Sequence, residues 1–384
     1  MRALSAAVAL ALVLGGCASQ GVTPQSGTAL APLVEMQLEG TREAPIPPAA
    51  LRYQIRQPER RRPLSLTAGA KIGLWAADTN FNYLLGQDAT GRKTVTAIDL
   101  SQNSCYDPVA LKVDSARDVW VACELTSLSA TSGALQEFSN AGALQKQYLP
   151  VCPAHVKDCQ SFSGYGFDSG LDAQGNVFES LNLYAIEICN PSCNTNLSAG
   201  FEWWPKGDPS IVPQLISTGD NCAPICGVGY MDVDASGNLW FNFSGYAGTA
   251  YGFGLGEITN PTKKPKLTIV EPIGTYGFFG GVYVSGKGKT LNVIDQASRT
   301  IAQYHLPLSA SGKPFHTLGP TRQNAFGIGD PISGAFNKND SKMAIGDTGG
   351  WLDIGKVSNN GWSDVASPNF YSGIDGAAYT PSDK

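Results

Sequence analysis

The chain has 384 residues, 42% of them hydrophobic and 15% charged, with 44 glycines and 24 prolines. That balance suits a turn-rich, all-β protein with an ample core better than a helical one. A net charge of -5 excludes the basic footprint that nucleic-acid binding requires, so no nucleic-acid partner is expected.

Met1-Arg2 gives a short positive start, and Ala3 to Leu14 is an apolar run. The run holds about a dozen residues where a membrane-spanning helix needs roughly 20. Leu14-Gly15-Gly16-Cys17 follows and matches a bacterial lipobox. Residues 1–16 are therefore expected to be a lipoprotein signal peptide, with Cys17 carrying the lipid (diacylglycerol and, in lipoproteins of this kind, a further acyl chain such as palmitate). Plain secretion is the alternative. Anchored this way, the chain would have the membrane as a partner and the cell envelope as its place. Ala18, where some bacteria use Asp for inner-membrane retention, points to the outer membrane.

Residues 17–66 are rich in Pro, Ala, Gln and Thr and hold no sustained period of 2 or 3.6. Pro45-Ile46-Pro47-Pro48 and Pro58 punctuate them, and Arg60-Arg61-Arg62 sits beside prolines as a solvated basic cluster. The segment reads as a lipid-anchored flexible linker. Residues 67–384 then form one domain.

In that domain Lys71 to Asp78 is an apolar strand, and a repeated hairpin comes after it. Asp114-Ser-Ala-Arg-Asp-Val-Trp120-Val recurs as Asp172-Ala-Gln-Gly-Asn-Val-Phe178 and as Asp234-Ala-Ser-Gly-Asn-Leu-Trp240-Phe. Weaker copies are Ser285-Gly-Lys-Gly-Lys-Thr-Leu291 and Asn337-Lys-Asn-Asp-Ser-Lys-Met343. Each is a strand, a tight polar turn and a second strand; Gly175 and Gly237 supply positive φ, and Asp and Asn side chains can bond the turn backbone. The turn-opening residues lie 58, 62, 51 and 52 apart, against about 40–50 for a four-stranded propeller blade, so some loops are enlarged. Outer strands are legible in the fourth unit: Asn238 to Ser244, Leu255 to Thr259 and Lys266 to Glu271.

Six inner strands can be counted, at 109–114, 166–172, 229–234, 280–285, 333–337 and 373–380. The last has no strand after it, and the strand at 71–78 has none before it. The expected fold is thus an all-β, six-bladed β-propeller closed by pairing the C-terminal strand with the N-terminal blade, which removes exposed sheet edges. Trp75, Trp120, Phe178 and Trp240 take equivalent positions and should pack between blades. Trp203 and Trp204 should point to opposite faces of one strand.

The strand-Asp-x-x-Gly-Asn-Leu-Trp-Phe pattern resembles NHL repeats and the gluconolactonase-like and streptogramin-lyase-like propellers, over most of residues 71–384. The resemblance implies a fold rather than an activity. Gluconolactonase-like enzymes hold a divalent cation at the channel mouth with one Glu, Asn residues and an Asp, and that set is not placed on this sequence. The lyases depend on a histidine, and none here stands in a matching context. Both absences count against either activity.

Beyond Cys17 there are eight cysteines: Cys105, Cys123, Cys152, Cys159, Cys189, Cys193, Cys222 and Cys226. An even number in an exported chain reads as disulfides. A zinc site is the weaker alternative, because both Cys-x3-Cys spacings are one residue too long and only three histidines exist. Proximity favours Cys105–Cys123 and Cys152–Cys159; the other four could pair locally or across the third blade's long loops. In the propeller frame all eight fall on the face made by the loops that precede inner strands and follow second strands. Either long loops simply need staples, or the face is stiffened for recognition.

Asp107, Asp168, Asp330 and Asp375 lie near the starts of inner strands on that face. They are candidate ligand-binding residues, for a divalent cation such as calcium or for a polar ligand; capping turns is their ordinary role. Tyr246, Tyr251 and Phe253 are expected in a glycine-rich loop, where they form a contact platform or pack on themselves. His155 is the best-placed histidine for chemistry but has no identifiable partner, and His305 and His316 fall on outer strands. No nucleophile elbow, phosphate loop or dinucleotide fingerprint is found in context, and no catalytic residue is assigned. The expected function is an envelope-displayed binding or scaffold propeller, its ligand a small molecule or an envelope protein. The alternative is a metal-assisted lactonase or lyase at the channel mouth.

Overall fold

A computed structural model describes residues 71–379 apart from 80–81, 92, 104, 125–134, 190–191, 221–224, 286–287, 309–312, 319–330, 338–340, 348–351, 359–360 and 367–373. The signal peptide, the linker, Cys17, Cys222 and Asp330 lie outside the described residues.

Six antiparallel four-stranded sheets succeed one another along the chain. Blade 1 holds β1 (Leu74–Asp78), β2 (Tyr83–Gln87) and β3 (Thr94–Asp99); blade 2 holds β4 (Tyr106–Val113), β5 (Val119–Glu124), β6 (Leu135–Phe138) and β7 (Leu144–Tyr148). Blade 3 is β8 (Cys159–Leu171), β9 (Val177–Cys189), β10 (Cys193–Trp204) and β11 (Gln214–Asp220); blade 4 is β12 (Ile225–Val233), β13 (Leu239–Ala247), β14 (Ala250–Thr259) and β15 (Lys266–Tyr276). Blade 5 comprises β16 (Phe279–Val284), β17 (Thr290–Asp295), β18 (Thr300–His305) and β19 (His316–Leu318). Blade 6 comprises β20 (Pro331–Phe336), β21 (Lys342–Asp347), β22 (Leu352–Ser358) and β23 (Gly361–Ala366). The last strand, β24 (Ile374–Tyr379), returns to blade 1 and pairs with β1, from Leu74 opposite Tyr379 to Asp78 opposite Ile374. The chain therefore closes its ring as the sequence leads one to expect, and β1 is left with no open edge.

The repeat motif has a specific chemistry. Asp234 opens the β12–β13 turn, and its carboxylate accepts the backbone N–H groups of Ser236 (2.8 Å) and Asn238 (3.0 Å), the Asn238 amide (3.1 Å) and the Trp240 indole N–H (3.0 Å). Asp114 does the same for Asp118 N and Trp120 Nε1, at 2.9 and 3.2 Å. Asp172 binds Gln174 N, Asn176 N and Asn176 Nδ2. Gly237, at φ 82°, takes the left-handed position the turn needs. In blades 2 and 4 one carboxylate thus ties the turn and aims the tryptophan six residues later, while in blade 3 it ties the turn alone.

Those aromatics join each blade to the next. Trp75 packs among residues of blades 1 and 2, and Trp120 with Tyr148, Val177 and Trp204 between blades 2 and 3. Phe178 lies between blades 3 and 4 and Trp240 between blades 4 and 5. Trp204 and Trp203 serve opposite sides of blade 3: Trp204 faces blade 2, while Trp203 stacks on Phe178 on the side of blade 4. Polar ties supplement the packing. The inner strands bulge, which frees carbonyls, and side chains of the preceding blade bond them. Thr79 Oγ1 donates to Pro108 O, Ser180 Oγ to Gly229 O and Asn242 Nδ2 to Gly280 O.

Blades 3 and 4 depart from the expected strand lengths. The segment around Tyr246 and Tyr251, expected as a glycine-rich loop, is instead a continuation of the β13–β14 hairpin. Gly254 and Gly256 make this possible: a Cβ at either would come within 2.7 or 2.5 Å of the rings of Phe243 and Phe241. Tyr246, Tyr251, Phe253 and Phe278 then pack ring against ring at 5.1–5.7 Å. In blade 3, β8 and β9 run 13 residues each and β10 runs 12, where their counterparts β4, β5 and β6 of blade 2 have 8, 6 and 4. The extension carries its own small core of Phe162, Leu181, Tyr184 and Ile186.

Replacing Asp234 with Ala strands the buried Trp240 N–H and two turn N–H groups. The expected cost is roughly 2–4 kcal/mol, read as a lower urea midpoint, and Asp234→Asn, which keeps one acceptor oxygen, should lose about half of that.

Candidate functional site

Two places gather chemistry: the loop face and the central channel. On the loop face, Cys105 precedes β4 and bonds Cys123 near the end of β5. Cys152 and Cys159 close the approach to β8, and Cys189 and Cys193 close the β9–β10 turn. Cys226 near the start of β12 is also disulfide-bonded, to a partner outside the described residues. The first two pairs are those that proximity favours, and the third resolves as a local one. Alternating strand direction places all seven described cysteines at the same end of their blades. Glu187 lies beside the Cys189 and Cys193 sulfurs, but these are oxidised to a disulfide, and Glu187 accepts a hydrogen bond from Ser161 Oγ at 3.1 Å. His155 is exposed inside the Cys152–Cys159 loop. His305 and His316 lie on β18 and β19, with His305 stacked on Phe315 at 3.9 Å.

The channel is lined by inner strands. Lys112 of β4 sends its ammonium to Asp168 Oδ2 of blade 3 at 3.4 Å, and it donates to Val282 O of blade 5 at 3.5 Å. The Tyr283 ring lies 5.9 Å from the same nitrogen, within cation–π range. Blades 2 and 5 stand opposite one another in a ring of six, so the Lys112 side chain crosses the channel. Asp168 is 1% exposed. Its carboxylate also accepts Met231 N at 3.0 Å and Ser169 N at 2.8 Å. Asp232 repeats the pattern one blade on, accepting Val284 N at 2.7 Å and Val233 N at 2.9 Å.

Burial works against charge on both members of the ion pair. For Lys112 the nearby Asp168 and Asp232 outweigh that effect and hold its pKa above the ordinary value. For Asp168 burial wins over Lys112 and the two N–H donors, and its carboxyl is pushed up to about 6.

Of the four candidate aspartates, then, Asp168 is a tie between blades, with its carboxylate engaged by Lys112 and two backbone donors. Asp107 lies in β4 and Asp375 in β24, but their side chains, like all of Asp330, fall outside what the structure describes. At this level of the channel the residues do not fit a divalent cation, because the Lys112 ammonium already stands against the described carboxylates. Sequence reasoning does not single out Lys112, Asp232 or Tyr283. A signal exists: each sits two residues before a turn-opening residue (Asp114, Asp234 and Ser285), and the first two put a charge in the middle of an apolar inner strand.

No family model and no curated protein matches the chain. Among solved structures it is similar to a putative 6-phosphogluconolactonase from Bacteroides fragilis at 8% identity, covering 82% of this chain and 99% of that one, with a TM-score of 0.47. A periplasmic gluconolactonase from Pseudomonas aeruginosa shares 9% identity over 80% of this chain and 99% of its own, with a TM-score of 0.46. A calcium-binding regucalcin from Agrobacterium tumefaciens shares 13% over 71% and 74%, with a TM-score of 0.43. The likeness is one of fold, and the propeller assignment itself stands on the strand pairing of this chain.

Because the Asp168 carboxyl is held near 6, above the roughly 3.9 of a free aspartate, its contribution to stability is complete below about pH 4 and is lost as pH rises through about 6. In Asp168→Asn that titration is gone. The difference in unfolding free energy between wild type and variant should therefore change between about pH 4 and 6.5 and be flat above about 7. A difference constant across the whole range would contradict the raised carboxyl.

Proposed function

We propose that this protein is an envelope-displayed lipoprotein whose propeller acts as a binding or scaffold module, with the disulfide-stapled loop face as its recognition surface. The observation that carries the reading is the convergence of seven disulfide-bonded cysteines and the extended strands of blades 3 and 4 on one face. Each staple stabilises a loop by roughly 2–4 kcal/mol, and a loop ordered in advance loses less entropy on binding. The partner is an envelope protein or a small ligand, and Cys17 supplies the membrane anchor. Lactone hydrolysis at the channel gains no support from Asp168, whose carboxylate is already engaged by Lys112.

A photo-crosslinking amino acid placed in intact cells tests the surface. At Asn194 or Thr195, exposed near the tip of the β9–β10 hairpin, it should yield a discrete adduct, whereas Ser236, exposed on the opposite face, should yield none. Adducts of equal strength from both faces, or none from the loop face, would remove the assignment. In the same cells Cys17→Ser should abolish incorporation of labelled palmitate and release the protein from the membrane fraction.

A further inference from the structure

One row of side chains in blade 3 carries two carboxyls where the corresponding rows of blades 4 and 5 are apolar. Ser169 on β8 pairs with Glu179 on β9, and Glu179 pairs with Glu202 on β10. Direct cross-strand partners share a sheet face, so the three stand side by side. The adjacent row on that face, Leu171, Val177 and Trp204, packs against Trp120, Leu135 and Tyr148 of blade 2. Ser169, Glu179 and Glu202 therefore lie in the interface between blades 2 and 3. The corresponding row is Met231, Phe241 and Gly256 in blade 4 and Val282, Val293 and Ala302 in blade 5. Where those blades use apolar packing, blade 3 places a hydroxyl and two carboxyls.

All three residues are 0% exposed. Ser169 Oγ and all four carboxylate oxygens have no hydrogen-bond partner. Five oxygen atoms thus stand in one buried row, and with both carboxyls ionised the Ser169 hydroxyl is the single donor among them. Among the described residues, the charged groups on the blade 2 side of this interface are Lys112, held by Asp168 at 3.4 Å, Glu137 and Lys146, which pair with each other at 3.0 Å, and Asp114 and Asp118 at the turn. Burial drives both carboxyls well above their ordinary range, and Glu179 adds to the effect on Glu202. Two unpaired anions buried side by side are strongly disfavoured, by desolvation and by mutual repulsion. A hard dication resolves every part of this arrangement: it balances two negative charges, and it takes oxygen ligands without needing a donor.

We propose that Ser169, Glu179 and Glu202 form a buried calcium-class cation site that clamps blade 3 to blade 2. The site lies between blades rather than at the channel, and it is independent of the recognition surface proposed above. Being enclosed, it fills as the blades assemble, so that metal binding and folding are coupled.

The test uses the purified full chain, unfolded and refolded with calcium chloride or with excess EGTA. Elemental analysis should find one calcium per chain, and calcium should raise the thermal midpoint by about 5 °C or more. Terbium should bind in its place and emit on tryptophan excitation, since Trp204 is in the adjoining row. The neutral pair Glu179→Gln/Glu202→Gln should lose the metal, the terbium emission and the calcium-dependent shift together. Should that pair not fold, Ser169→Ala keeps both carboxylates and should need about tenfold more calcium for the same shift. A wild-type chain that binds no calcium and melts identically in calcium and EGTA overturns the site and leaves a protonated acid pair. A calcium shift unchanged in the Gln pair or in Ser169→Ala overturns it too, since the ion would then sit elsewhere.

Discussion

The propeller depends on one repeated device, a turn-opening Asp or Asn that binds its own turn backbone in blades 2, 3, 4 and 6, and in blades 2 and 4 also the indole six residues later. A blade made of four short strands cannot bury either face alone, so it is stable only when its large side chains meet the next blade at a fixed height and angle. The Asp234 carboxylate sets both for Trp240 by holding the turn backbone and the indole N–H at once. Asp114 does so for Trp120. Blades 3, 5 and 6, with Phe178, Leu291 and Met343 at that position, have no side-chain N–H to bond, and blade 1 lacks the bond too. The position six before Trp75 is Gly69, and the buried Trp75 Nε1 has no acceptor. That blade is secured differently, by the pairing of β24 with β1.

Around the channel the same problem is solved with charge. Inner strands lie side by side without forming a sheet with one another, and their bulges leave backbone groups that need partners. Asp168 and Asp232 reach across to N–H groups of the next blade, while Ser180 and Asn242 reach to its carbonyls. Two aspartates facing inward would repel each other in a narrow, poorly solvated tube. Lys112 balances them from across the ring, and in doing so it closes the tube at that level.

The difference between what is legible in the sequence and what is not has a physical origin. Turns and strand alternation are local, so the blade count, the inner hairpins, the ring closure and two disulfides can be read from residue types at fixed spacing. The long hairpin of blade 4 escapes such a reading because glycine is normally taken as a breaker, whereas Gly254 and Gly256 are there to admit the rings of the neighbouring strand. Side-chain partners across blades depend on which inner strand faces which. Asp168 can be named from its place near an inner-strand start, but its engagement with Lys112, 56 positions away along the chain, cannot.

Blade 3 brings these threads together. Its strands outgrow those of the other inner repeats, its extension has a separate core under two disulfides, and its flank toward blade 2 carries a row with two carboxyls where blades 4 and 5 are apolar. A blade that projects beyond the ring acts as a lever: force on its tip is transmitted to the interfaces at its base. The interface with blade 4 is broad and aromatic, built on Phe178, Phe201, Phe241 and Phe243. The interface with blade 2 rests on a smaller cluster around Tyr148 and Trp204, and it is there that Ser169, Glu179 and Glu202 are buried. Apolar packing resists separation weakly and without direction, whereas ion coordination is strong and geometrically specific. An ionic clamp at the less packed base of the longest blade would hold the projecting strands rigid where packing alone is thinnest.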